Sequence, residues 1–128
     1  MQPDTASAPA GGTRPTRILL VDDHEISRAA LRALLRTEGL DVAEAPVGDA
    51  AITAVIAFRP DVVIIDVTPA NPAGFLTARQ LRALPEAPAV VLTSSASWCR
   101  FGSLLEHHAF IAKADLCARA IENADLIA

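Results

Sequence analysis

The sequence predicts an α/β protein: a single doubly wound sheet of five parallel strands with five helices packed on its faces. Three observations carry this. Asp61-Val62-Val63-Ile64-Ile65-Asp66 sets four consecutive β-branched residues between two aspartates, and a short, wholly apolar run of this kind belongs to a strand covered on both faces. Short apolar runs alternate with segments of helical periodicity, the order that builds parallel strands joined by right-handed crossovers. Apolar residues make up 52% of the 128 residues and aromatics only 4%; this is one domain's length, with a core of Val, Ile, Leu and Ala.

Residues 1–16 hold Pro3, Pro9, Pro15, Gly11-Gly12 and scattered Ser, Thr and Ala. They are expected to form a disordered leader that cannot bury enough surface to fold, leaving 17–128 as the folded domain. Arg17-Ile18-Leu19-Leu20-Val21 reads as the first strand and runs into Asp22-Asp23. The first helix, about 25–38, places Ile26, Ala30 and Leu34, with Ala29, Leu31 and Leu35, on an apolar face and Arg28, Arg32 and Arg36 opposite. Gly39-Leu40 reads as a helix stop with its hydrophobic clasp. Asp41-Val42-Ala43-Glu44-Ala45 is a more polar strand, expected near a sheet edge.

The second helix, 48–58, turns Ala51, Ile52, Val55 and Ile56 inward and stops before Pro60. After the central strand, a third helix spans about 74–84, closed by Pro85 and Pro88. Ala89-Val90-Val91-Leu92 is the fourth strand, and a fourth helix over about 97–107 is interrupted by Gly102. Ala109-Phe110-Ile111-Ala112 is a short fifth strand. The last helix, about 116–127, carries Leu116, Ala120, Ile121 and Ala124 on one face. This succession specifies the strand order 2-1-3-4-5, the flavodoxin-like arrangement.

Composition narrows the function. Net charge is −4, so the domain carries no electrostatic footprint for nucleic acid. No run approaches the ~18 apolar residues of a membrane span, and the basic-then-apolar order of a signal peptide is lacking; a cytoplasmic protein is expected. Cys99 and Cys117 lack CxxC spacing and read as ordinary thiols. His107-His108 reads as a solvated helix end, with no second cluster at ligand spacing.

The polar residues of interest fall at carboxyl ends of strands: Asp22 and Asp23 after the first, Asp66 on the third, Thr93 on the fourth, Lys113 after the fifth. In the expected strand order they converge at the sheet edge where open α/β sheets bind ligands. Clustered carboxylates repel unless a cation joins them, and a small hard ion with oxygen ligands, Mg2+, suits them. Lys113 opposes anionic oxygens and Thr93 offers a hydroxyl. A carboxylate nucleophile in such company is equipped for phosphoryl transfer, with Asp66 becoming an aspartyl phosphate. Singly, each residue has a plainer reading: Asp22-Asp23 is also a helix N-cap pattern, and Lys113 also a surface lysine.

Ile18-Leu19-Leu20-Val21-Asp22-Asp23-His24 resembles the opening of a bacterial response-regulator receiver domain, most like those in front of LuxR-type helix-turn-helix domains. The resemblance continues through Arg59-Pro60-Asp61-Val62-Val63-Ile64-Ile65-Asp66, Val90-Val91-Leu92-Thr93-Ser94 and Phe110-Ile111-Ala112-Lys113, and spans about 17–127. It implies Asp66 as phosphoacceptor and Asp22 and Asp23 as the acidic pair, one of them, with Asp23 preferred, binding Mg2+ directly and the other through water. It implies the Thr68 backbone carbonyl as a further metal ligand, Thr93 and Phe110 as switch residues, Lys113 pairing with the phosphoryl group, and Gly74 as the glycine opening the third helix. Thr68 and Ser95 would flank the attacking water. A sensor histidine kinase would donate the phosphoryl group, and the face of fourth helix, fifth strand and fifth helix would engage an output domain, a partner protein or a second copy. No metabolic activity is implied beyond self-phosphorylation and autodephosphorylation.

The sequence departs from the family in places. Ala70, preceded by Pro69 and followed by Asn71-Pro72, stands where a proline is usual; Ala114 replaces a frequent proline and Ala109 a frequent glycine. His24 is expected at the pocket rim, outside the chemistry. Trp98 with Phe101 reads either as a partner-binding patch or as packing of the fourth helix. The altered loop and fourth helix keep a second reading in play, a receiver-like binding module that works by protein contacts without phosphorylation.

Overall fold

Four parallel β–β pairings assemble one sheet in the order β2-β1-β3-β4-β5. Its strands are β1 (Arg17–Val21), β2 (Asp41–Ala45), β3 (Val62–Asp66), β4 (Ala89–Ser94) and β5 (Ala109–Ala112). The connections are α1 (Glu25–Thr37), α2 (Asp49–Phe58), α3 (Ala73–Arg82) and a 3-10 segment (Trp98–Leu105), with α4 (Ala118–Ile127) closing the fold. The computed structural model describes residues 14–105 and 108–127; the expectations for residues 1–13 and for His107 fall outside them. The predicted doubly wound, five-stranded architecture is the one observed. No helix among the described residues is long and apolar enough to cross a membrane.

Strand alternation divides the core in two. Leu19, Val21, Val63, Ile65, Val90 and Leu92 face α2, α3 and the 3-10 segment, meeting Ala51, Val55, Ala78, Leu81 and Phe101. Ile18, Leu20, Val62, Ile64 and Val91 face α1 and α4, meeting Leu35, Ile121 and Ala124. Both faces of β3 are therefore dry, and each of its apolar side chains contributes about 1.5–3 kcal/mol of burial. The polar strand β2 lies at an edge.

The Gly39 stop is a Schellman closure. Gly39, at φ 90°, donates its N–H to Arg36, and the Leu40 N–H reaches the Leu35 carbonyl, while Leu35 and Leu40 share one apolar cluster.

Five expectations are corrected. Helix α1 is rotated: Ile26 is 87% exposed and Leu34 is exposed, while Leu35 is buried with Leu31 packed beside it. Arg28, expected on the solvent side, is largely buried, because its guanidinium donates to Glu44 (2.9 Å) and to the Asp22 carbonyl (2.6 Å). Ile56 of α2 is likewise exposed. The fourth helical connection is 3-10 rather than α, broken at Gly102 (φ 58°, ψ −132°), the backbone freedom that only glycine supplies cheaply. His108 is half-buried with its ring against Phe75, centroids 6.3 Å apart, not a solvated helix end.

Candidate functional site

Strand parity gathers the site. Asp66 lies in register with Thr93, and Thr93 with Ile111, two residues before Lys113. Leu20 lies in register with Ile64, two residues before Asp66, and Leu20 itself precedes Asp22 by two. Side chains two apart share a sheet face. Asp22, Asp66, Thr93 and Lys113 thus reach one place at the carboxyl edge.

The two inner carboxylates are held between two bases. Asp22 Oδ2 and Asp66 Oδ1 stand 3.2 and 3.1 Å from Lys113 Nζ, which also reaches the Ser27 hydroxyl at 3.2 Å. On the other side, Asp22 Oδ1 and Asp66 Oδ2 stand 3.1 and 3.8 Å from His24 Nδ1. Asp22 is buried and its Oδ1 also accepts the His24 backbone N–H at 2.8 Å. Asp23 is exposed; one of its oxygens accepts the Val47 N–H at 3.0 Å. It lines, with His24, Asp66, Thr68, Asn71 and Gly74, an open depression of about 150 Å³.

Burial is the largest influence on all three inner groups, with different outcomes. For Asp22 it is outweighed by the His24 N–H and the Lys113 ammonium, and the carboxyl stays below its usual pKa. For Asp66 burial prevails, reinforced by the Asp22 charge and only partly relieved by Lys113, so its pKa is raised. For Lys113 the paired carboxylates overcome burial and hold the ammonium charged.

At this site two buried polar atoms lack an aligned hydrogen-bond partner: Asp66 Oδ1, despite the ammonium 3.1 Å away, and Thr93 Oγ1 on a residue 2% exposed. Such groups are costly unless a ligand completes them. The donor set suits a hard divalent ion: Asp22 and Asp66 carboxylate oxygens lie in one group within 4.8 Å, and Asp23 and Thr68 border the same depression.

The structure therefore brings together Asp22, Asp66, Thr93 and Lys113, and puts Asp23 and Thr68 at the pocket wall. Phe110 is half-buried, stacked obliquely on Phe101 (6.1 Å), which in turn meets Phe75 edge-on (5.9 Å). Trp98 and Phe101 part company: Phe101 is core, whereas Trp98 is 67% exposed. The loop after Asp66 closes through a Thr68–Asn71 bridge, and the Asn71 side chain accepts the Ala73 N–H at 2.9 Å, opening α3. Gly74 is the one residue that fits beneath: a Cβ there would lie 2.8 Å from the Asp66 carbonyl oxygen. His24, expected at the pocket rim, lines the depression and leans over the carboxylates, while Arg28, expected on the solvent side, anchors the Asp22 carbonyl. Their positions, the N-cap and the next turn of the helix leaving the acidic pair, were the available signal.

The response regulator receiver domain model matches residues 18–114. The chain belongs to that family. Among relatives of this receiver, the DNA-binding response regulator MtrA of Mycobacterium tuberculosis (strain ATCC 25618 / H37Rv) is 40% identical over 82 residues, covering 64% of this chain and 36% of MtrA. A protein-glutamate methylesterase/protein-glutamine glutaminase 2 of Anaeromyxobacter dehalogenans (strain 2CP-C) is 39% identical over 88 residues, covering 67% of this chain and 26% of that protein. The chain thus spans about a quarter to a third of the length of these relatives. A LuxR-family two-component response regulator from Aurantimonas sp. SI85-9A1 superposes with TM-score 0.69 at 29% identity, covering 88% of this receiver and 86% of that chain. It is a receiver domain of the two-component response-regulator type, as the resemblance implied.

Proposed function

We propose that this receiver takes a phosphoryl group onto Asp66 from the phosphohistidine of a sensor histidine kinase and uses it as a switch in transcriptional regulation. One observation carries the reading: Asp66, 10% exposed at its side chain, stands beside the Lys113 ammonium and in register with a buried, unpartnered Thr93 hydroxyl. In the transfer, an Asp66 oxygen attacks phosphorus in line, the P–N bond to the kinase imidazole breaks, and that imidazole takes up a proton. Lys113 pairs with the incoming anion, and the Thr93 hydroxyl donates to a phosphoryl oxygen. Asp22, Asp23, Asp66 and the Thr68 carbonyl would hold Mg2+, which would supply neutralisation of phosphoryl charge.

The inward draw of Thr93 and Lys113 shifts the population of the face formed by the 3-10 segment, β5 and α4, where Phe110 packs on Phe101. That face then engages an output domain, a partner protein or a second copy. Hydrolysis past Thr68 and Ser95 resets it. Acetyl phosphate with Mg2+ is expected to label the wild-type protein and leave Asp66→Asn unlabelled; equal labelling of the variant refutes the acceptor.

A second reading, a receiver-like module acting by contact alone, is favoured by the loop. The backbone there closes on itself through the Thr68–Asn71 bridge, with Ala70 where a proline is usual in the family. Trp98 fluorescence unresponsive to Mg2+, acetyl phosphate and beryllofluoride would select the module.

A further inference from the structure

We propose that His24 is a further protein ligand of the divalent cation at this site, and that its imidazole turns the preference from Mg2+ toward a first-row transition ion such as Mn2+ or Co2+. The inference rests on the reading that Asp22 and Asp66 hold a cation.

His24 Nδ1 lies 3.1 Å from Asp22 Oδ1 and 3.8 Å from Asp66 Oδ2, and the three donor atoms fall within 4.8 Å of one another. Ligands at about 2.0–2.2 Å from a shared ion are separated by roughly 3.0–3.5 Å, a spacing the His24–Asp22 pair already has and the His24–Asp66 pair exceeds by a few tenths of an ångström. The lysine does not compete for these atoms, since Lys113 takes Asp22 Oδ2 and Asp66 Oδ1, the other oxygen of each carboxylate.

Helix architecture does not explain the ring's placement. His24 is the N-cap of α1, yet its side chain makes no capping hydrogen bond. Its backbone is fixed independently, with N–H to Asp22 Oδ1 and the carbonyl accepting Arg28 N–H at 2.9 Å. The side chain is 69% exposed, and its ring leans inward over the two carboxylates, with Nδ1 in hydrogen-bond contact with Asp22 Oδ1 at 3.1 Å and 3.8 Å from Asp66 Oδ2.

Asp66 is 10% exposed at its side chain, and with Lys113 on its Oδ1 at 3.1 Å the other oxygen, Oδ2, is the one turned toward His24 Nδ1. Asp22 and Asp66 share the one Lys113 ammonium, and Asp23 adds a further carboxylate at the pocket wall, a balance that suits a divalent ion. Mg2+ favours an all-oxygen octahedron. A mixed imidazole and carboxylate set raises affinity along the first transition row instead.

The test uses the full chain loaded with Mn2+ alone. Pulsed EPR of the wild-type protein is expected to show the nitrogen coupling of a directly bound imidazole, and His24→Gln is expected to lack it. By titration calorimetry, His24→Gln should weaken Mn2+ by about tenfold or more, while Mg2+ changes by less than about threefold. Absence of nitrogen coupling in the wild-type protein overturns the proposal, as does an equal loss for both ions. The EPR result needs no variant, so it stands even if His24→Gln folds poorly. Mg2+-dependent labelling of Asp66, read separately, distinguishes the two failures. Labelling without nitrogen coupling removes His24 alone, whereas no divalent binding and no labelling removes the phosphoacceptor reading as well.

Discussion

Replacing Gly74 with alanine sets two physical effects against each other. Gly74 is the second residue of α3, where alanine's helix propensity would gain about 0.5–1 kcal/mol. Against this, the added methyl would lie 2.8 Å from the Asp66 carbonyl oxygen, 2.8 Å from Val67 Cγ1 and 3.3 Å from Ile65 Cγ2. An ordinary carbon–oxygen approach is about 3.3–3.6 Å, so helix and strand must part by roughly half an ångström. Neither close neighbour yields easily, since one is backbone and the other a β-branched side chain with Val67 buried. Overpacking of this kind costs about 1–3 kcal/mol, which exceeds the propensity gain. The expected net loss is about 1–2 kcal/mol, a fall in Tm of several degrees for a domain of this size. The displaced atom belongs to Asp66, so labelling by acetyl phosphate should fall as well, at temperatures where the variant is fully folded. Thermal unfolding by circular dichroism, paired with labelling at 20 °C or below (about room temperature, near the stability maximum), reads both. A variant as stable as wild type, or more so, would show that the strand end and α3 are not in the close contact described.

Thr93→Val should be neutral or slightly stabilising, because it removes a buried hydroxyl that has no partner, yet it should shorten the life of the phosphorylated state; a loss above about 2 kcal/mol in denaturant unfolding would mean the hydroxyl is satisfied in the resting fold. Asp61 accepts from the Arg14 guanidinium (2.8 and 2.9 Å) and from the Arg17 N–H (2.8 Å), and these, the arginine foremost, lower its pKa against the effect of burial. A depressed carboxylate stabilises the fold above its unfolded pKa and loses that contribution as pH falls through its folded value. Asp61→Asn should therefore cost about 1 kcal/mol at pH 7, and the gap from wild type should close below about pH 4; a gap independent of pH in Tm measurements would contradict the linkage.

Much of this protein was determined by local pattern. The apolar run of β3 required a strand buried on both faces, and its alternation with helical periods required parallel pairing and the order observed. Once the order is known, a side-chain period of two carries Asp22, Asp66, Thr93 and Lys113 to one face of one edge. Those conclusions need only spacing along the chain, because sheet geometry is rigid and repeats every second residue.

Tertiary structure decided which neighbouring stripe of α1 turns inward. Periodicity favoured Ile26, Ala30 and Leu34, but Arg28 enters instead, since Glu44 on the edge strand and the Asp22 carbonyl satisfy its guanidinium. It also decided that the connection after β4 is 3-10, that His108 packs on Phe75, and that Trp98 and Phe101 point apart. Above all it placed His24, whose ring lies against carboxylates at the ends of two different strands. A helix or strand repeat can be read from neighbours in sequence, but a buried charge or a leaning ring takes its place from partners far along the chain, and only the folded molecule brings those partners together.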